Sequence, residues 1–148
     1  MTAMNDNNEI ISSRFIAAPV GKVFGAFSDP GKLEKWWGPD AFTNTVTEFD
    51  FKVGGIWKIT MHGPDGKDYP NVSRFTDIVE NGRIVYDHIE PVHAFTMTMT
   101  FVEKDGGCLL TWVMRFVTPG EAERLGHFIS AANQQNFGRL EAVIQNQP

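Results

Sequence analysis

Two side chains able to handle a proton stand close together in the run Arg83-Ile84-Val85-Tyr86-Asp87-His88-Ile89-Glu90. In an extended strand, side chains alternate between faces, so Tyr86 and His88 share one face with Ile84. An imidazole titrates near neutral pH and can give a proton to a bound molecule or take one from it, while a phenol beside it orients that molecule. His88 is therefore the candidate acid or base of the chain. Two registers fit the residues. In one, Ile84, Tyr86 and His88 face the interior; in the other, Val85 and Ile89 do and His88 meets solvent, because a slip of one residue exchanges the faces.

A second set of polar groups lies in the C-terminal stretch Thr118–Gln145, which reads as one long helix. Thr118 suits a cap, Pro119 the first helical position, and Glu121 stands at capping-box spacing. Ala122, Leu125, Phe128, Ile129, Ala132, Leu140, Val143 and Ile144 then recur at helical intervals. Turning by about 100° per residue from Leu125 puts Asn136 near the middle of that stripe and Asn133 at its edge. A buried amide needs a protein partner, a water or a ligand.

The third set is apolar. Phe95-Thr-Met-Thr-Met-Thr-Phe101 alternates cleanly, as do Ile56 to His62 and Cys108 to Val117. One face of these segments carries Trp57, Ile59, Met61, Phe95, Met97, Met99, Trp112, Met114 and Phe116. Methionine and aromatic side chains fill gaps in ordinary cores, and they also line adaptable apolar pockets. With twelve Phe, four Trp and six Met, the chain has the stock for either. If the surface is a pocket wall, the residues meeting a ligand are Trp57, Met61, Met97, Met99, Trp112 and Met114 from the strands, Tyr86 and His88 beside them, and Phe128, Asn133 and Asn136 from the helix. Trp37, next to Gly38-Pro39, belongs to the rim or packs between a short helix and the sheet, whereas Trp36 reads as core.

Other reactive residue types form no constellation. His62 falls opposite Trp57 in its alternation and is expected at the surface, His93 sits in a turn beside Pro91, and His127 lies on the helix flank. No two histidines have metal-ligand spacing, and Cys108 has no activating neighbour. Gly54-Gly55 and Gly106-Gly107 join strands, whereas a phosphate-binding glycine loop leads into a helix. No metal and no cofactor are therefore expected. Glu48 and Asp50 share a strand face as an acid pair or, on the simpler reading, a solvated edge.

The elements that must position these groups follow in order. A strand over Glu9–Ala17 precedes two short helices, Pro19–Asp29 and Pro30–Trp36. Strand-like segments follow at Phe42–Phe51, Ile56–His62, Val72–Glu80, Arg83–Glu90, Phe95–Phe101 and Cys108–Val117, with turns at Lys52–Gly55, Gly63–Gly66, Asn81-Gly82 and Asp105–Gly107. Consecutive strands with tight turns imply an antiparallel sheet, and about seven strands curl enough for one amphipathic helix to close the concave side. The fold class is α+β, with a tail at residues 1–8 and one domain at 9–146. A length of 148 residues can bury a real core. A formal charge of -5 without a basic run argues against nucleic acid as a partner. No apolar run is long enough to insert in a membrane and no secretion pattern opens the chain, so the expected location is cytoplasmic. A homodimer through a strand edge is left open.

Four motifs occur in a fixed order: Ala18-Pro19 with Val23-Phe24; Trp36-Trp37-Gly38-Pro39; Asp50-Phe51-Lys52-Val53-Gly54-Gly55 with Trp57; and Gly63-Pro64-Asp65-Gly66. Together they resemble the START-like, or SRPBCC, superfamily. Within it they resemble the branch named for the activator of the 90-kDa heat-shock chaperone's ATPase, in its small stand-alone bacterial form. The resemblance runs from about Ile10 to Ile144 and implies a helix-grip fold with a cavity between sheet and long helix. Members of that branch often carry Gly-Trp in the last helix where Ala132-Asn133 stands, a difference that implies more interior room here. The superfamily includes binders of lipids and hormones as well as cyclases, and fold alone does not choose among them. Three functions are carried forward: binding of a small hydrophobic molecule, cyclase- or dehydratase-like proton transfer using His88, Tyr86 and Asn136, and an interaction role like that of a chaperone activator.

Overall fold

The computed structural model describes residues 8–91 and 94–146. Its elements are β1 (Glu9–Ile16), α1 (Val20–Ser28), α2 (Pro30–Trp36), β2 (Thr43–Phe49), β3 (Ile56–His62), β4 (Asp68–Val79), β5 (Arg83–Glu90), β6 (Phe95–Lys104), β7 (Gly107–Phe116) and α3 (Glu121–Gln145). The strands form one seven-stranded antiparallel sheet in the order β1-β7-β6-β5-β4-β3-β2. Each tight turn joins spatial neighbours. The exception is the β1–β2 connection, which carries the two short helices from one edge of the sheet to the other. With α3 packed across the sheet, this is the helix-grip fold.

β4 begins earlier than the expected Val72. Tyr69 and Pro70 already pair with Met61 and Thr60 of β3. Pairing with β5 starts only at Val72, so Pro70 lies where one side of β4 is an edge, and there proline costs no ladder bond. The register of β5 is the one that turns Ile84 and Tyr86 into the core, with His88 following on the same face.

The start of α3 differs from the capping-box expectation. Gly120, at φ 86°, occupies the N-cap, and no side chain caps the helix. A left-handed φ suits glycine far better than the Thr-Pro pair before it. The Glu121 carboxylate turns forward to Arg124 instead of back to Thr118.

The buried face of α3 also sits differently round the helix. Asn133, Asn136, Phe137, Leu140 and Ile144 are buried, while Phe128 is 77% exposed. Phe128 stands roughly 120° round the helix from Leu140 at about 100° per residue, so it cannot share that face. The expectation that Phe128 meets a ligand is therefore corrected. Phe137, absent from the expected stripe, is fully buried and packs edge-on to Trp112 at 4.7 Å between centroids.

Asn8 is hydrogen-bonded to Phe116 of β7 through its backbone and side chain, so this residue of the expected tail is held against the sheet. The rest of the expected tail, residues 1–7, lies outside the described residues, as does His93.

These placements make a paired prediction. Phe137→Ala should lower unfolding free energy by about 3–5 kcal/mol, the usual range for a buried phenylalanine. Phe128→Ala should change it by less than about 0.5 kcal/mol, as for most surface positions. Urea denaturation of both variants against the parent measures the difference.

Candidate ligand-binding site

A pocket of ≈ 190 Å³ lies between the concave face of the sheet and α3. Its deep walls are Trp57 and Ile59 of β3, Ser73 of β4, Tyr86 of β5, Met97 of β6, and Trp112 and Met114 of β7, all buried. Asn133 and Asn136 close it from the helix, at 7% and 5% exposure. The half-buried rim is made by Pro39, Met61, Asn71, His88, Phe95 and Ala132. Strand alternation explains the wall: Met97 pairs across the ladder with both Tyr86 and Met114, so their side chains stand on one face.

Trp37 is both packing and lining. Its ring meets Trp57 at 5.0 Å and Trp112 at 5.6 Å, and it borders the pocket. The expectation for Met99 is corrected. It is 2% exposed and lies outside this pocket, beside Phe27, Leu33 and Ile84 around a void of ≈ 10 Å³. That is about the size of one water, so Met99 is core. Every other residue expected from the sequence, apart from Phe128, borders the pocket.

The two asparagines find protein partners for their nitrogens. Asn133 Nδ2 donates to Ser12 Oγ at 3.1 Å and lies 3.6 Å from Met114 Sδ. Asn136 Nδ2 donates to the Trp36 carbonyl at 3.0 Å, and a carbonyl accepts only, so the amide orientation is fixed. Ser12 is buried on the inner face of β1, while its neighbour Ile11 is 63% exposed. A short polar residue on a buried face gives no hydrophobic signal, so Ser12 and likewise Ser73 escaped sequence reading.

The rim is held by Arg139. Its Nη1 donates to the carbonyls of Trp37, Gly38 and Pro39 at 3.1, 3.0 and 2.8 Å. Its Nη2 reaches those of Lys35 and Phe42 at 3.4 and 2.8 Å. Burial pushes the guanidinium pKa down from its usual value, with a smaller opposing effect from Asp40. At Gly38, φ is +92°, a left-handed conformation that favours glycine where the rim meets the wall.

At the mouth, His88 stacks on Phe95 with centroids 5.1 Å apart. Its Nε2 is 2.8 Å from Asn71 Oδ1, and Asn71 Nδ2 donates to the Tyr69 carbonyl at 3.0 Å. That second bond turns the amide oxygen toward His88, so neutral His88 carries its proton on Nε2. Tyr86 is deeper, and burial raises its phenol pKa well above the ordinary tyrosine range. The phenol is uncharged at neutral pH and available as a donor. Among the described residues, the indole N–H groups of Trp57 and Trp112 are buried without an acceptor.

The remaining reactive residues lie elsewhere. His62, expected simply at the surface, is half-buried on the face of β3 opposite Met61, between Thr45 Oγ1 at 2.8 Å and Asp68 Oδ1 at 2.7 Å. His127 is exposed. Cys108 is buried and its thiol pKa is raised by that burial, which opposes thiolate chemistry. Glu48 pairs with Lys58 at 3.5 Å in solvent. Among the described residues, no group of His, Cys, Asp and Glu is placed to hold a metal ion, and no helix is long and apolar enough to cross a membrane.

Residues 17–145 match the family described as "Activator of Hsp90 ATPase homolog 1-like protein". The chain belongs to this family. No curated protein matches it. Among solved structures it is similar to a Chromobacterium violaceum protein, 26% identical over 96% of this chain and 100% of that one, with a TM-score of 0.83. A Mycobacterium smegmatis protein is 27% identical over 95% and 92%, with a TM-score of 0.82. A Rhodobacter sphaeroides protein at 16% identity covers 99% and 97% with a TM-score of 0.87, a likeness of fold.

The Tyr86 environment predicts a pH dependence. A folded-state pKa above the unfolded value of about 10 means the folded chain keeps this proton while the unfolded chain releases it. The associated stability is fully present below pH about 10 and is lost progressively as pH rises beyond it. Urea unfolding between pH 8 and pH 11 should show this decline, and Tyr86→Phe should make it shallower.

Proposed function

We propose that this chain binds a small hydrophobic molecule in the pocket between the sheet and α3. The observation that carries this reading is the combination of a ≈ 190 Å³ space with buried aromatic and methionine walls. A dry apolar cavity of about 150 Å³ is known to accept benzene, so this volume suits a ligand of about one ring. Family membership supports the same reading, since the fold commonly binds hydrophobic ligands. Ala132, small and half-buried at the rim, leaves the mouth open where a large ring would narrow it.

Proton transfer asks for more than the walls offer. It needs His88, Tyr86 and Asn136 around one reacting atom, whereas His88 is at the rim with Nε2 engaged by Asn71, Tyr86 is on the floor, and Asn136 is across the pocket on the helix. Binding is thus the better supported reading. An interaction role of the kind in the family's description would be a property of the outer surface, to which the pocket contributes nothing.

Thermal unfolding with a panel of small neutral aromatics and medium-chain alcohols tests the proposal. A ligand at a hundred times its Kd adds about 2.7 kcal/mol, which for a chain of this size raises Tm by roughly 5–10 °C. Ala132→Trp, which plugs the mouth, should remove that shift while leaving the far-ultraviolet circular dichroism unchanged. No shift from any member of the panel would refute the reading.

A further inference from the structure

The pocket's polar atoms specify more than hydrophobicity. Its lining includes no Asp, Glu, Lys or Arg among the described residues. Arg139, beside the rim, directs both of its Nη groups to the carbonyls of Lys35, Trp37, Gly38, Pro39 and Phe42. A carboxylate or ammonium group would therefore enter without a fixed countercharge, His88 at the rim being the one titratable imidazole in the lining, at a cost of several kcal/mol.

The uncharged polar groups divide by wall. On the helix side, the donors of Asn133 and Asn136 are used on Ser12 and Trp36, while neither Oδ1 receives a hydrogen bond from a described residue. That wall thus presents acceptors. On the sheet side, the Tyr86 hydroxyl makes no hydrogen bond to a described residue, and its raised pKa keeps its proton in place. That wall presents a donor. An apolar molecule filling this space would leave these groups buried and unpaired, and each such group costs about 1–3 kcal/mol.

We infer that the ligand is an uncharged single-ring compound bearing a hydroxyl or amide N–H, which donates to the oxygen of Asn133 or Asn136, and an oxygen, the hydroxyl's own included, that accepts from the Tyr86 hydroxyl. This rests on the reading that the pocket is a ligand site. The volume sets the ring count, since ≈ 190 Å³ is below the range of about 300–1,000 Å³ that holds drug-sized molecules. The orientation follows from the walls: the ring lies against Trp57, Trp112 and Met97, with its donor toward α3.

Calorimetric titration of the whole chain with p-cresol, 4-methylanisole, toluene, p-toluate and 1-dodecanol tests this. Against p-cresol, 4-methylanisole lacks the donor, toluene lacks both donor and acceptor, p-toluate carries a charge, and 1-dodecanol replaces the ring by a long chain. Binding of p-cresol should be about tenfold or more tighter than binding of toluene or 4-methylanisole, and p-toluate should not bind. In Tyr86→Phe the margin of p-cresol over toluene should narrow by at least threefold while toluene affinity stays the same, which reports an intact pocket. Equal affinity for the three neutral rings overturns the donor and acceptor assignment and leaves the apolar pocket standing. Binding of p-toluate as tightly as p-cresol overturns the exclusion of charge. Binding of 1-dodecanol alone overturns the single-ring class. If nothing in the series binds, the pocket reading falls with the inference.

Discussion

The structure depends on a helix end that cannot finish itself. α2 is seven residues long and runs into Trp37-Gly38-Pro39, so its last carbonyls have no following turn to donate to them. A buried carbonyl without a donor is costly, and here every one has a partner. Trp37 N closes on Leu33 O. Asn44 donates to Glu34 O and Trp37 O. Asn136 serves Trp36 O, and Arg139 serves Lys35, Trp37, Gly38, Pro39 and Phe42. Asn136 and Arg139 are three apart on α3 and therefore point the same way. One helix thus caps another in trans. The positive guanidinium also sits at the negative end of the α2 dipole.

That arrangement sets the pocket. Because the loop after α2 is tied to α3, Trp37 is held against Trp57 and Trp112, and Gly38 and Pro39 become the rim. The Trp36 ring anchors the same helix from below, donating through Nε1 to Ala26 O at 3.0 Å and meeting Phe27 edge-on at 4.7 Å. At the other edge of the sheet, Arg14 of β1 joins Glu141 at 2.8 Å and Gln134 at 3.1 Å. The long helix is thereby fastened at both flanks. Between these fastenings, Ala132, Asn133 and Asn136 border open space.

Much of this was legible in the residues, for reasons that also mark where legibility stopped. The strands with clean alternation, Ile56–His62 and Phe95–Phe101, kept their faces, because a period of two leaves no other burial once a core exists. The position of Asn136 within an apolar stripe pointed to a buried amide, and it is one. Its partner, the Trp36 carbonyl, lies a hundred residues away and no local pattern could name it. Arg139 went unnoticed for the same reason, since an arginine near the end of an amphipathic helix reads as a solvated charge. Phe128 differs from its expected place because hydrophobicity alone does not set burial, and a helix exposes whichever side its neighbours leave uncovered. Ser12 and Ser73 were silent because small hydroxyls occur on both faces of strands.

The same considerations explain why the pocket is held open by polar atoms. By the relation of about 24 cal/mol per Å³, a dry void of ≈ 190 Å³ would cost about 4–5 kcal/mol, a large part of the 5–15 kcal/mol that stabilises an ordinary domain. A chain could recover that by placing a large ring at position 133 of the helix. Here Asn133 stands at that position, bound to Ser12, and Ala132 beside it has only a methyl group. Filling the space with apolar atoms would bury the Asn oxygens and the Tyr86 hydroxyl together, exchanging a packing cost for a desolvation cost. The asparagines that fasten the helix to β1 and α2 through their nitrogens turn their oxygens to the inner face, so the stability of the clamp and the existence of the pocket are two consequences of the same side chains.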